Sequence, residues 1–103
     1  MAIIREDFDS YKIWYYSGFS YEALIYVYRA RKYVGRIVFF KDENQIPPNA
    51  SYPEPSIHYP IRNFDDVVSI LREEKPLYLF LSTNKIGIIA TADFEPVGEE
   101  EGG

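Results

Sequence analysis

The chain has 103 residues, enough for one domain and too few for a second. Hydrophobic residues make up 47% of it and aromatic residues 17%, with ten Tyr and seven Phe, so it can bury a core and falls outside the disordered class. A net charge of −5 gives no general pull toward phosphate backbones, and the absence of cysteine removes disulfides, thiolate metal sites and thiol nucleophiles.

Met1 to Asp7 shows no basic-then-apolar leader pattern, and no apolar run approaches membrane-spanning length. The expectation is a cytoplasmic protein with no membrane partner. Negative charge gathers late, at Asp93, Glu95, Glu99, Glu100 and Glu101, which leaves the body nearly balanced. The chain therefore divides into a single α+β domain, residues 1–96, and a flexible acidic tail, residues 97–103.

Ile3 to Asp9 is mixed and fits a short strand or an ordered arm. Lys12-Ile13-Trp14-Tyr15-Tyr16-Ser17 is dense in β-formers and stops at Gly18. Ala23 to Arg29 and Val34 to Lys41 read as the two strands of a hairpin, with a turn somewhere in Ala30 to Tyr33 that lacks the Asn-Gly or Asp-Gly signal. Asp42 to Ser56 carries Pro47, Pro48, Pro53 and Pro55 and reads as a loop. Ser56 to Ile61 is a short strand with Pro60, which suits a sheet edge.

Asn63 is placed to cap a helix from Phe64 to about Glu74. Asp65 and Asp66 lie in its first turn, and Phe64, Val67, Val68 and Leu71 form one apolar stripe. Lys75-Pro76 ends it. Leu77 to Leu81 and Ile86 to Ala92 form a second hairpin around Ser82 to Lys85. The fold class is α+β: a mostly antiparallel sheet of five or six strands with one helix.

With Arg31-Lys32 at the turn, one face of the first hairpin carries Leu24, Tyr26, Tyr28, Ile37 and Phe39. The other carries Ile25, Val27, Val34, Val38 and Phe40. Both are apolar, the pattern of a sheet buried on two sides, and one helix of about three turns covers only one. Leu77, Leu79, Leu81, Ile86, Ile88 and Ile89 add to the surplus. Either the sheet curls into a barrel or a second subunit or a protein partner covers it; self-association is the reading favoured.

Arg29, Arg31, Lys32 and Arg36 cluster around one hairpin end, with Trp14, Tyr26 and Tyr28 on neighbouring strands. Rings beside cations are what a single-stranded nucleic acid needs, stacking for bases and charge for phosphates. Charged residues also crowd ordinary solvated turns, and aromatics fill ordinary cores.

Ser56-Ile57-His58-Tyr59-Pro60-Ile61-Arg62-Asn63-Phe64-Asp65-Asp66-Val67-Val68-Ser69-Ile70-Leu71 runs a short strand into a helix after three antiparallel strands. In element order, over about Tyr11 to Glu74, this resembles the four-strands-then-helix unit of Whirly and Pur-alpha type single-stranded nucleic-acid-binding domains. The resemblance implies paired units, as dimers or tandem repeats, and a single-strand partner. Gly102-Gly103 after an acidic stretch is similar to the ends of ubiquitin-like modifiers and sulfur carriers. The order hairpin, helix, hairpin is that of their β-grasp fold.

Candidates for catalysis and metal binding are poor. His58 is the lone histidine, Glu6-Asp7-Phe8-Asp9 lacks a cation-loop pattern, the glycines are isolated, and no Ser lies in a nucleophile elbow. The sequence points to a protein that is not an enzyme, with no cofactor and no metal. The leading expectation is a self-associating binding module. A single-strand binder and a ubiquitin-like carrier are the alternatives.

Overall fold

Strands with alternating apolar residues must pair into sheets and bury at least one face of each. The computed structural model describes residues 3–51, 53–94 and 97, and among these are seven strands and one α-helix in two sheets. In chain order they are β1 (Ile4–Phe8), β2 (Ser10–Tyr15), β3 (Tyr21–Arg29), β4 (Lys32–Phe40), β5 (Ser56–Pro60), α1 (Phe64–Glu73), β6 (Leu77–Leu81) and β7 (Gly87–Thr91).

The first sheet has the order β2-β3-β4-β5, antiparallel except that β5 lies parallel to β4. The second is antiparallel, with β6 between β1 and β7. The α+β class with one helix stands, but the single sheet of five or six strands does not. Leu77–Leu81 pairs with β1 instead of extending the first hairpin. The two hairpins that a β-grasp would join, β3–β4 and β6–β7, accordingly lie in different sheets. The expected domain boundary at residue 97 and the acidic tail lie outside the described residues, Val97 apart. Among the described residues no helix is long and apolar enough to cross a membrane.

The register of the first hairpin departs from the sequence reading by one residue, which exchanges the faces. Arg29 pairs with Lys32, so the turn is Ala30-Arg31, both with positive φ (52° and 67°). That is the tight two-residue turn whose twist suits a hairpin, formed here without glycine or asparagine. A register shift between Val27 and Tyr28 then sets Leu24 opposite Val38 and Ile25 opposite Ile37. Because side chains alternate, a slip of one moves a whole set of residues across the sheet. Ala23, Ile25, Val27, Ile37 and Phe39 share the inner face; Leu24, Tyr26, Arg36 and Val38 share the outer one.

The inner face is the main core. Ile57 extends it from β5, and α1 covers part of it with Val67 and Leu71 while Phe64 packs edge-on against Phe39 at 5.1 Å. The second sheet covers more: Phe8, Leu77 and Leu79 are buried in the same cluster. Leu81 is buried as well, whereas Ile86 and Ile88 stay exposed. Each fully buried Leu stabilises the fold by about 1.5–3 kcal/mol. Asn63 precedes α1 but makes no side-chain cap. A single 3-10 turn, Ile61–Asn63, leads into the helix and its Ile61 carbonyl takes the Phe64 N–H. Asp65 and Asp66 do occupy the first turn.

Two glycines mark where the sheets meet. A Cβ on Gly35 in β4 would lie 2.9 Å from Leu79 Cδ1. One on Gly87 in β7 would lie 2.9 Å from Ile57 Cγ2 and 3.0 Å from Asn49 Nδ2. Asn49 cannot retreat easily, since its amide donates to the Lys85 carbonyl at 2.9 Å and accepts from the His58 N–H at 2.7 Å. Gly87→Ala should therefore cost about 1–3 kcal/mol by overpacking. In a thermal melt that is a fall of roughly 5–20 °C for a domain of this size. An unchanged melting temperature would show that the β5–β7 contact is loose.

Candidate functional site

The outer face of the four-stranded sheet holds most of the aromatic side chains that the core does not use. The register places Ser10, Lys12 and Trp14 of β2 opposite Tyr28, Tyr26 and Leu24 of β3, and Arg36 and Val38 of β4 beside Ser56 and His58 of β5. Leu24 and Val38 are 1% and 3% exposed although they face away from the main core. Rings roof them over.

The rings form one connected layer. Tyr28 meets Tyr33 at 6.1 Å, Tyr33 meets Tyr26 at 5.3 Å, and Tyr26 stands edge-on to Trp14 at 5.9 Å. Trp14 stacks on Tyr16 at 6.4 Å, Tyr16 meets Tyr21 at 5.1 Å, and Tyr21 leads through Phe40 to His58. Most of these contacts are edge-to-face, the arrangement the ring quadrupole favours. Trp14 is 52% exposed, so its ring has a free face at the open edge of the layer.

Of the residues singled out in the sequence, Trp14, Tyr26, Tyr28 and Arg36 come together on this face. Arg29 does not. It pairs with Glu6 at 3.4 Å and donates to the Asp7 carbonyl at 3.3 Å, which ties it to β1. Arg31 occupies the turn and Lys32 flanks it, both exposed. The cluster is thus split. Lys12 was overlooked: its Nζ lies 5.6 Å from the centre of the Tyr28 ring. The signal was in the sequence, because Lys12, Trp14 and Tyr16 follow one another at the two-residue spacing of a strand face. Tyr33 was also overlooked. Burial first, then the neighbouring Glu54 carboxylate, push its hydroxyl up to about 12, so it stays protonated beside that carboxylate.

At the β5 side a polar relay closes the face. Arg36 Nε donates to Ser56 Oγ at 3.0 Å, Ser56 Oγ lies 2.8 Å from His58 Nε2, and His58 Nδ1 lies 2.9 Å from the Pro47 carbonyl. A carbonyl only accepts, so Nδ1 carries the proton and Nε2 accepts from the Ser56 hydroxyl. The pair has the look of a nucleophile and its base, yet Ser56 is 1% exposed and its hydroxyl is held between Arg36 and His58. What the relay does is fasten the loop of residues 41–55 to β5, with the Ala50–Ser56 backbone bridge beside it. Among the described residues no group of three or more His, Cys, Asp or Glu is placed to hold a metal ion.

Burial, and secondarily the Arg36 cation, hold the His58 pKa below its ordinary 6.5, against the opposing pull of the Pro47 hydrogen bond. The unfolded chain then binds the proton more readily than the folded one. The stabilisation is complete above about pH 6.5 and is lost as pH falls through that value toward the lower folded pKa. Urea titrations of the native protein and of His58→Gln should differ in slope with pH over this window, the variant being flatter. Parallel pH profiles would mean that protonation leaves the relay intact.

Comparison with protein-family models, with curated proteins and with solved structures gives no match. The reading of this face rests on its own residues.

Proposed function

We propose that the chain is a small non-catalytic binding module that pairs with a second copy of itself through the open edge of β2. The observation that carries this is the state of that edge. β2 is the terminal strand of its sheet, and Ile13, Trp14 and Tyr15 are 42%, 52% and 62% exposed. Strand edges invite pairing unless they are blunted by charge, proline or a covering segment. On β2 only Lys12 is charged. In the same sheet the other edge strand, β5, ends in Pro60 and is bridged by Ala50. In the second sheet β1 carries Arg5, Glu6 and Asp7 in a row, and β7, also an uncharged edge, exposes one large apolar side chain, Ile88, where β2 exposes three.

A second copy suits β2 chemically. Two β2 strands running antiparallel about a twofold at Trp14 keep the outer faces continuous. They set Trp14 against the partner's Trp14, Ile13 against the partner's Tyr15 and Lys12 against the partner's Tyr16. Aromatic and apolar cross-strand pairs of this kind contribute about 0.2–1 kcal/mol each, and no like charges meet. Sedimentation at micromolar concentration should show a dimer, and the emission of the single tryptophan should shift to the blue as concentration rises. Ile13→Lys should give a folded monomer whose melting temperature no longer rises with concentration. A native chain that stays monomeric at high concentration rules the pairing out.

A second reading has its own support: the register gathers Trp14, Tyr26, Tyr28, Arg36 and Lys12 on one face. Such a face suits single-stranded nucleic acid, with bases stacked on the rings, and the four-strands-then-helix resemblance points the same way. Trp14→Ala should weaken binding of a labelled oligothymidylate by about 1–3 kcal/mol without changing its salt dependence. If neither form binds at low salt, this reading falls and the pairing module stands alone.

A further inference from the structure

At one end of the aromatic layer, Ser10, Tyr11, Lys12, Tyr28 and Arg31 line an open cleft of about 290 Å³ between β2 and the β3–β4 turn. Two cations line it, one from β2 and one from the β3–β4 turn. Lys12 stands over the Tyr28 ring, and Arg31 is held in the two-residue turn by its left-handed backbone. Among the described residues neither forms an ion pair, whereas Arg5, Arg29 and Arg62 each do. The nearby carboxylates are occupied elsewhere: Glu6 by Arg29, Asp7 by Arg5, and Asp9 by the Ala30 N–H at 3.1 Å. Asp9 thus braces the turn that carries Arg31, and no carboxylate lines the cleft. In a chain of net charge −5 this is a local concentration of positive charge beside a hydroxyl and a ring face.

A ligand matching those groups has a dianionic or monoanionic oxyacid joined to a flat ring. Arg31 can hold phosphate oxygens with its planar fork, Lys12 adds a second charge, and the Ser10 hydroxyl can donate a hydrogen bond. Tyr28 offers the surface for the ring. We propose that this cleft is a nucleotide-phosphate subsite: Lys12 and Arg31 take the phosphate and Tyr28 takes the base. The inference rests on the single-strand reading above and names the point on the face where the charged part of each unit sits. It differs from the sequence expectation in its cations: of Arg29, Arg31, Lys32 and Arg36 only Arg31 lines the cleft, and Lys12 joins it.

The test is an amide NMR titration of the full chain with adenosine monophosphate, with adenosine, and with inorganic phosphate, alongside binding of a short oligothymidylate. Adenosine monophosphate should shift the amides of residues 10–12 and 28–31 saturably, at least about tenfold more tightly than either half alone, because both contacts are made together. Lys12→Ala with Arg31→Ala should weaken it by about tenfold or more, as expected for lost hydrogen bonds to a charged group. The same change should lower the salt slope for the oligonucleotide by about 0.7 per contact. Both side chains are exposed, and a melting curve confirms the fold. Shifts of equal size with phosphate alone, or none at the cleft, overturn the subsite. An oligonucleotide that binds the double variant with undiminished salt slope also overturns it while leaving the single-strand reading in place. Adenosine monophosphate bound at the cleft with no oligonucleotide binding sustains the subsite and removes that reading.

Discussion

The passage of β6 over Gly35 is the constraint on which the rest of the architecture depends. β4 has no side chain at that point, and Leu79 drops into the gap, 1% exposed, where any Cβ would meet it. The three-stranded sheet can then lie close enough to the inner face of the larger one for Phe8, Leu77 and Leu79 to join Ile25, Ile37, Phe39 and Ile57. Without that approach α1, only ten residues long, would have to cover four strands alone. A surplus of apolar surface is thus absorbed by a second layer. The Pro55 carbonyl, fixed by the Arg36 N–H at 3.0 Å, borders the same gap and ties the end of the long loop into it.

Since the inner face takes both the helix and the second sheet, no further element among the described residues is left to cover the outer face besides its own rings. Leu24 and Val38 are buried there, in strand positions paired with each other and flanked on the same face by Trp14, Tyr26 and Phe40. Tyrosine suits this duty, for the ring body seals while the hydroxyl remains at water. The roof that completes the fold is therefore also the surface on which both proposed readings depend. Binding residues here are not separable from structural ones, and a substitution such as Tyr26→Ala tests stability and recognition together. Trp14 is the exception, because half of it is already exposed at the sheet edge.

Local pattern in the sequence was enough to locate the elements: β5 with its Pro60, the Val67–Leu71 stripe of α1 and the alternation of Leu77, Leu79 and Leu81 all lie where their spacing indicated. Their bounds agree to within about two residues, the ordinary uncertainty of an element's end. What local pattern could not supply was pairing. Whether Ala30-Arg31 or Arg31-Lys32 makes the turn depends on whether two non-glycine residues accept a positive φ, a cost repaid only by contacts along the whole hairpin. The bulge between Val27 and Tyr28, a one-residue slip that no local pattern announces, then decided which face carried Tyr26 beside Val38. Likewise, nothing near Leu77 in sequence announces that β6 will pair with Ile4–Phe8, more than sixty residues away. Trp14, Tyr26, Tyr28 and Arg36 were legible as a group because they alternate within strands; Arg29 misled because its partner Glu6 comes from that distant strand.

The charge of the chain illustrates why a total is a poor guide to a surface. Three of its acidic residues are Glu99, Glu100 and Glu101, and others are paired with cations locally: Glu6 with Arg29, Asp7 with Arg5 and Glu43 with Arg62 at 2.7 Å. Exposed charges further apart than about 8 Å are largely screened at physiological salt. A ligand at the Lys12 and Arg31 cleft therefore meets mainly those two cations and the braced Asp9, not the net negative charge. Attraction over a distance is weak for such a protein, so association with a polyanion would be slow to steer and would depend on short-range contacts once formed. Ring stacking is such a contact, indifferent to net charge. A nucleotide at the proposed cleft would have to rely on ring contacts more heavily than it would on a basic protein, and the sequence supplies ten tyrosines and one tryptophan for a fold whose described residues form seven strands.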